Sequence, residues 1–275
     1  MSHREESVWL QDHAWPAVES YLAEHEHPTV LVPIGSTEQH GPHLPVGTDA
    51  YQAIDVAEGI AEAANTLVAP PLWYGDADHH MAFPGTVSLS SDTVVAMLTD
   101  VYESLLDHGF RNVITVNGHR IANLSAIDIA AKEVKADHPD AFLGTFDLLR
   151  FGVRVHNELR DGDPEDGMHG GEFETSFMLF QHGELVDESA FEPAVHEGWT
   201  RFASSDYVGI DDTVPSASSR HDWPEDAQGH HGDPTLAGEA KGERLYEAFV
   251  DNGVEFLNDL AERQAGDGGG QDLTY

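Results

Sequence analysis

The sequence predicts an α/β fold built on a largely parallel sheet. Short β-branched runs alternate with helical patterns of roughly 12 to 18 residues, the signature of strand–helix–strand units. The polar clusters fall directly after those runs, where open α/β sheets bind ligands.

The elements follow in order. Thr29–Ile34 (TVLVPI) reads as a buried strand ended by Gly35. A polar, His-rich loop leads to Asp49 and a helical pattern from Tyr51 to Ala64. Thr66–Ala69 is a second short strand, stopped by Pro70 and Pro71. Ser91 or Asp92 then caps a helix reaching His108. Asn112–Val116 is another buried strand, followed by Asn117-Gly118-His119 and a helix from Ala122 to Ala136. Ala141–Leu148 reads as a further strand, and Thr235 to Glu262 as a closing helix broken near Gly253. Residues 1–262 are expected to form one domain that includes a polar, loop-rich segment at 183–234. Residues 263–275 are expected to be a disordered tail.

Charge narrows the function. The chain of 275 residues has 50 Asp+Glu against 13 Lys+Arg, a formal charge of −37. Phosphate and anionic-lipid binding both need Lys and Arg, so neither nucleic acid nor a membrane surface is an expected partner. The acids lie among regular apolar patterns and 40% of residues are hydrophobic, which fits a folded chain. Lysine is scarce, with only Lys132, Lys135 and Lys241. An acid-rich, lysine-poor surface suits a salt-crowded cytoplasm, where screening relieves self-repulsion. With no cysteine, disulfides, thiolate chemistry and Cys-based zinc sites are excluded. The start, MSHREESVWLQDHAW, lacks the apolar stretch of a signal peptide, and no segment reads as a membrane span. The expectation is a cytoplasmic protein.

The chemistry clusters at strand ends. The loop GSTEQHGPHLPVGTDA carries Glu38, His40, His43 and Asp49, and the loop after NVITV carries Asn117 and His119. Glu38 and His40, two apart, point the same way in an extended segment. Imidazole and carboxylate without thiolate suit Zn, Mn or Fe(II). Taken singly, each residue has an ordinary explanation, such as Asp49 serving only as an N-cap. Convergence on neighbouring strand ends favours a metal site, with room for two metals sharing one bridging acid. A third cluster, DGMHGGEFETS, puts His169 on a Gly-rich turn and Glu172 and Glu174 at a helix start, where carboxylates also favour the macrodipole. Of Asp78-His79-His80, at most one histidine of an extended pair faces a pocket.

The segments VPIGSTEQHGPHLPVGTD, FPGTVSL, VNGH, HGGEFETS and GDPTLAGEAKGE span Val32 to Gly242. In that order they resemble the creatininase (creatinine amidohydrolase) family. The resemblance implies a three-layer α/β/α sandwich, a dinuclear metal centre and a homo-oligomer, commonly a hexamer. It assigns Glu38, His40 and His119 as ligands and Asp49 as the bridging ligand. Glu174 becomes the fifth ligand, with Glu172 as the alternative, and His169 the non-ligand residue that transfers protons. Two divalent ions (Zn, Mn or Fe) sharing Asp49 would bring a bridging water to hydroxide near neutrality. His169 would pass the proton to the leaving nitrogen, so the implied reaction is hydrolysis of a C–N bond in a small amide, formamide or cyclic amide.

The sequence departs from the family pattern at several positions. Ile121 stands where creatininase itself has an acidic ligand. Asn123 comes one residue after the position expected for Asn, which Ala122 occupies. Arg120 and Glu165 replace the aromatics expected to stack on creatinine. Arg120 could receive a carboxylate or phosphate, or simply pair with nearby acids. His80 and Glu172 are further pocket candidates for contact with substrate. Creatinine therefore fits poorly, and relatives that deformylate a formamidopyrimidine nucleotide or trim a short peptide offer other precedents. Outside hydrolysis, the alternatives are a non-catalytic metal-binding scaffold and an acidic mimic of nucleic acid.

Overall fold

A computed structural model describes residues 7–167, 169–194 and 219–266, excepting the side chains of 120–122 and 164–165. Its centre is a parallel sheet. Strand β1 (Thr29–Ile34) pairs with β2 (Leu67–Val68) on one side and β3 (Asn112–Asn117) on the other, and β3 pairs with β4 (Phe142–Asp147). The order is β2-β1-β3-β4. Ile34 lies opposite Asn117, and Asn117 opposite Asp147, so three strands end flush at one edge. The chain leaves β1 toward β2 and leaves β3 toward β4. The gap between the carboxyl ends of β1 and β3 is therefore the topological switch point where such sheets bind ligands.

Period-two alternation builds two cores. Val30, Val32, Ile34 and Val113 face one side, where they pack on α3 (Ser91–Asp107) and α4 (Arg120–Asp137), with α1 (Trp15–Glu24) at the margin. Leu31, Ile114 and Val116 face the other, against α2 (Thr48–Ala64), α5 (Leu148–Leu159), α6 (Glu172–His182) and α7 (Glu239–Gly266). Phe173, Phe177 and Phe249 are buried there, each contributing on the order of 2–3 kcal/mol by transfer from water. Helices on both faces make this the three-layer α/β sandwich. Among the described residues, no helix is long and apolar enough to cross a membrane.

Several elements differ from expectation. Helix α7 runs unbroken through Gly253 to Gly266, because that glycine is where α7 presses onto Ile60 of α2 and a side chain would collide. Helices α1 and α5 are additional. Helix α5 starts directly at the end of β4, with Asp147 accepting a hydrogen bond from the Arg150 amide as its N-cap. Helix α3 is capped by Ser90 rather than Ser91 or Asp92. Within the polar 183–234 segment, residues 195–218 lie outside the described set, as do 267–275 of the expected tail.

Candidate metal centre

The loop after β1 is held open by its own backbone. The Glu38 amide donates to Val46 O (2.8 Å), the Val87 amide to Thr37 O (2.8 Å) and the Gln39 amide to Thr86 Oγ1 (3.1 Å). Glu38 and His40 are consequently presented, fully buried, above the switch point. Helix α2 begins at Thr48, earlier than its apolar pattern suggests, so Asp49 lies in its first turn. Gly47 is the N-cap and no side chain caps the helix. The Asp49 carboxylate is thereby available to the site.

The cluster divides into two halves that share Asp49. In one, His119 Nδ1 lies 3.1 Å from both Glu38 Oε2 and Asp49 Oδ2. In the other, His40 Nε2 lies 3.1 Å from Asp49 Oδ1 and 3.5 Å from Glu174 Oε2. Each set of three ligand atoms falls within 4.8 Å, as a single cation requires. The far nitrogen of each ring is tied to a backbone carbonyl, which can only accept: His119 Nε2–H donates to Asp76 O (2.8 Å) and His40 Nδ1–H to Glu38 O (3.1 Å). In the neutral rings the lone pairs therefore face carboxylate oxygens, an arrangement that needs a cation between them. This outer hydrogen bond to a carbonyl is also what orients metal-bound histidine generally. Glu38 Oε2 and Asp49 Oδ2 are buried without a hydrogen bond, which would be costly unless a cation satisfied them. The donor set, carboxylate and imidazole without sulfur, suits a divalent metal.

Electrostatics point the same way. Burial alone would lower the pKa of His40, but Asp49, Glu174 and Glu38 outweigh it and raise the ring to about 10. His119 is likewise raised well above its ordinary value, against its burial, by Glu38 and Asp49. Burial would raise Asp49, yet the two histidines hold it below the usual carboxylate range. Glu174, whose burial outweighs the help from His40, is pushed up to about 7. A cluster that draws protons so strongly in the metal-free protein is one that a divalent cation can occupy in their place.

His169 sits beside both halves. Its Nε2–H donates to Gln39 O (2.7 Å), and its Nδ1 lies 3.7 Å from Glu38 Oε1. Burial and the neighbouring His40 push its pKa well below the ordinary value, so it rests neutral. Glu174 accepts from the Gly170 amide (2.7 Å) and reaches the cluster, whereas Glu172 turns away from it. Glu172 pairs with Lys241 and accepts from the Asp161 amide (2.9 Å), tying α6 to α7, so the geometry offers it neither as fifth ligand nor as a substrate contact. His43 is also outside the two halves. It holds the His169 turn through Gly170 O (2.7 Å). Asn117 accepts from the His119 amide (3.2 Å) and donates to Asp147 (3.1 Å), bracing the strand ends. The side chain of Arg120 lies outside the described set.

The histidine pair behaves differently from an extended segment. Asp78–His80 form a 3-10 turn, so His80 reaches Glu38 Oε1 (3.3 Å) while His79 stacks toward His119 at 5.9 Å. Over this turn lies the segment after Ser219. Trp223 donates to His79 O (2.6 Å), and its ring stands 5.6 Å from His80 and 5.1 Å from Phe83. Sequence reasoning missed Gln39 and the role of Asn123. Asn123 is fully buried, donates to Gly35 O (3.0 Å) and accepts from the Asp76 amide (3.2 Å), so it fixes the very residue whose carbonyl orients His119. Helix α4 starts at Arg120 rather than Ala122, and on that start Asn123 turns inward to these partners.

Comparison with known proteins identifies the family. The family model described as creatininase, creatinine amidohydrolase, matches residues 11–257. The mycofactocin precursor peptide peptidase of Mycolicibacterium smegmatis is 31% identical over 244 residues, covering 86% of this chain and 84% of that protein. The creatinine amidohydrolase of Pseudomonas putida is 30% identical over 194 residues, 66% of this chain and 74% of that protein. The solved structure described as "Creatininase Mn" superposes with a TM-score of 0.75 at 26% identity, covering 92% of this chain and 98% of its own. By sequence along most of its length and by fold, the chain belongs to the creatininase family.

Proposed function

We propose that this creatininase-family amidohydrolase holds two divalent ions bridged by Asp49 and hydrolyses a C–N bond in a small amide. The observation that carries the reading is that Asp49 turns Oδ1 to His40 and Oδ2 to His119. Glu38, His119 and Asp49 would hold one ion, and His40, Glu174 and Asp49 the other. When bound, such ions supply Lewis acidity to an amide carbonyl and acidify water. The protein's own part is then positioning and proton transfer. With Nε2–H committed to Gln39 O, His169 offers Nδ1 as the atom that takes a proton and returns it to the leaving nitrogen. Its buried, neutral state keeps that lone pair available.

Arg120 and Glu165, standing where stacking aromatics were expected, disfavour creatinine and favour a linear amide, a formamide or a short peptide. The peptidase relative supports the peptide end of that range. The same reading takes residues 1–262 as one domain, since both cores share a single sheet. It takes the assembly as a homo-oligomer, hexameric by family resemblance, and the setting as a salt-rich cytoplasm, supported by the charge of −37. The decisive experiment is metal analysis coupled to a panel of lactams, formamides and short peptides in molar salt. Turnover lost on chelation and restored by Zn, Mn or Fe is the expected result. Full metal occupancy with no turnover on the panel would instead identify a scaffold.

A further inference from the structure

We propose that Gln39 is a positioning residue of the metal centre: its carboxamide fixes the tautomer of His80, which then holds one oxygen of Glu38 and leaves the other for the cation. The inference rests on Glu38 being a ligand, as argued above. Two backbone groups independently determine the orientation of the Gln39 amide. The Gly41 amide can only donate, and it meets Oε1 at 2.9 Å. The Gly229 carbonyl can only accept, and it meets Nε2 at 2.6 Å. The amide therefore cannot be flipped, and its second N–H points at His80 Nδ1, 2.7 Å away.

His80 Nδ1 must accept, so in the neutral ring the hydrogen sits on Nε2. That N–H faces Glu38 Oε1 at 3.3 Å, while Glu38 Oε2 faces His119 Nδ1. His80 thus distinguishes the two oxygens of Glu38: its Nε2 stands beside Oε1, while Oε2 remains a buried acceptor without a hydrogen bond. Gln39 Nε2 also lies 3.0 Å from His169 Nε2, but that N–H is directed to Gln39 O at 2.7 Å, so the amide hydrogens remain for Gly229 and His80. The His80 ring, stacked 4.2 Å from His169 and 96% buried, has little freedom to find another partner. Gln39 acts on the site through His80, not by touching a substrate.

Gln39→Glu is the test, because a carboxylate accepts where the amide donates. It should draw the His80 hydrogen to Nδ1 and turn a lone pair toward Glu38. Two readouts follow. In metal-free protein, the 15N shifts of His80 should report Nε2–H in the wild type and Nδ1–H in Gln39→Glu. In a zinc titration against a chromophoric chelator, Gln39→Glu should weaken affinity by roughly 10- to 100-fold, the usual cost of losing an outer-shell partner. In a His80→Ala background the same substitution should add almost nothing, since its route is gone. Wild-type His80 protonated on Nδ1, unchanged affinity in Gln39→Glu, or an equal loss in both backgrounds would overturn the proposal. If Gln39→Glu does not fold, Gln39→Met removes the donor to Nδ1 without adding an acceptor, and it should weaken zinc affinity in the wild-type background but not in His80→Ala; no loss, or an equal loss in both, would overturn the proposal. A wild-type protein that takes up none of zinc, manganese or iron would sink the metal reading itself, and the His80 tautomer would still judge this inference.

Discussion

Replacing Gly118 by Ala tests whether the site depends on how closely β3 meets α2. Gly118 follows the last residue of β3, and its amide donates to Ile34 O at 2.9 Å, locking the two strand ends together. A methyl added there would overlap the Asp49 carbonyl oxygen and sit 2.9 Å from Asp49 C and 3.3 Å from its Cα. These are backbone atoms, so no side-chain rotation relieves the collision. The first turn of α2 and the Gly118–His119 turn must separate by roughly 1 Å, a displacement that can cost on the order of 100-fold in rate. Two ligand candidates, Asp49 and His119, ride on opposite sides of that clash, and metal sites tolerate only about 0.2 Å. Overpacking should also remove about 1–3 kcal/mol of stability. Zinc titration against a chelator, turnover and a thermal melt of the metal-free protein read all three effects. Gly183→Ala is the control, since nothing lies within 4 Å of its added methyl and its backbone is right-handed helical. That substitution should be neutral or stabilise by about 0.4–1 kcal/mol. A Gly118→Ala protein with wild-type metal affinity and melting temperature would refute the reasoning.

Three further outcomes are expected. His169→Ala should lower turnover by roughly 10²- to 10⁴-fold while metal content stays at the wild-type level, and loss of metal instead would make His169 a ligand. For pH, the sign follows from groups raised in the metal-free fold. His40 moves from 6.5 to about 10 and Glu174 from 4.5 to about 7. Their stabilisation is complete below the unfolded values and fades as pH rises through the folded ones. Metal binding runs the other way, because ligands must shed protons. The gain in melting temperature on adding zinc should therefore be larger at about pH 9 than at about pH 6, and a smaller gain would contradict the assignment. Finally, with a charge of −37, melting temperature should climb by several degrees as salt shortens the screening length from about 10 Å at 0.1 M to about 3 Å at 1 M. A melt indifferent to salt would remove the support for a halophilic setting.

The strands that position the site were legible because burial on both faces leaves continuous β-branched runs, as in TVLVPI and NVITV. Helix α5 was hidden because it follows β4 with no Gly or Pro between them, its start marked only by Asp147 turning back to cap it. The closing helix misled for the opposite reason: Gly253 looks like a breaker but serves a close contact with Ile60, 193 residues earlier in the chain. Glu172 and Glu174 show the limit most plainly. They are two residues apart and share a motif, yet one pairs with Lys241 of α7 and the other reaches His40.

Local spacing thus sufficed for the α/β class, the carboxylate–imidazole chemistry and the family, since each depends on residues close together along the chain. The direction in which each imidazole presents its lone pair did not follow from spacing. It depends on carbonyls such as Asp76 O for His119, on the flush ends of β1 and β3, and on a helix start that leaves Asp49 uncapped. Hydrogen-bond direction is a property of the groups that meet in space, and here those groups come together only once the sheet has formed.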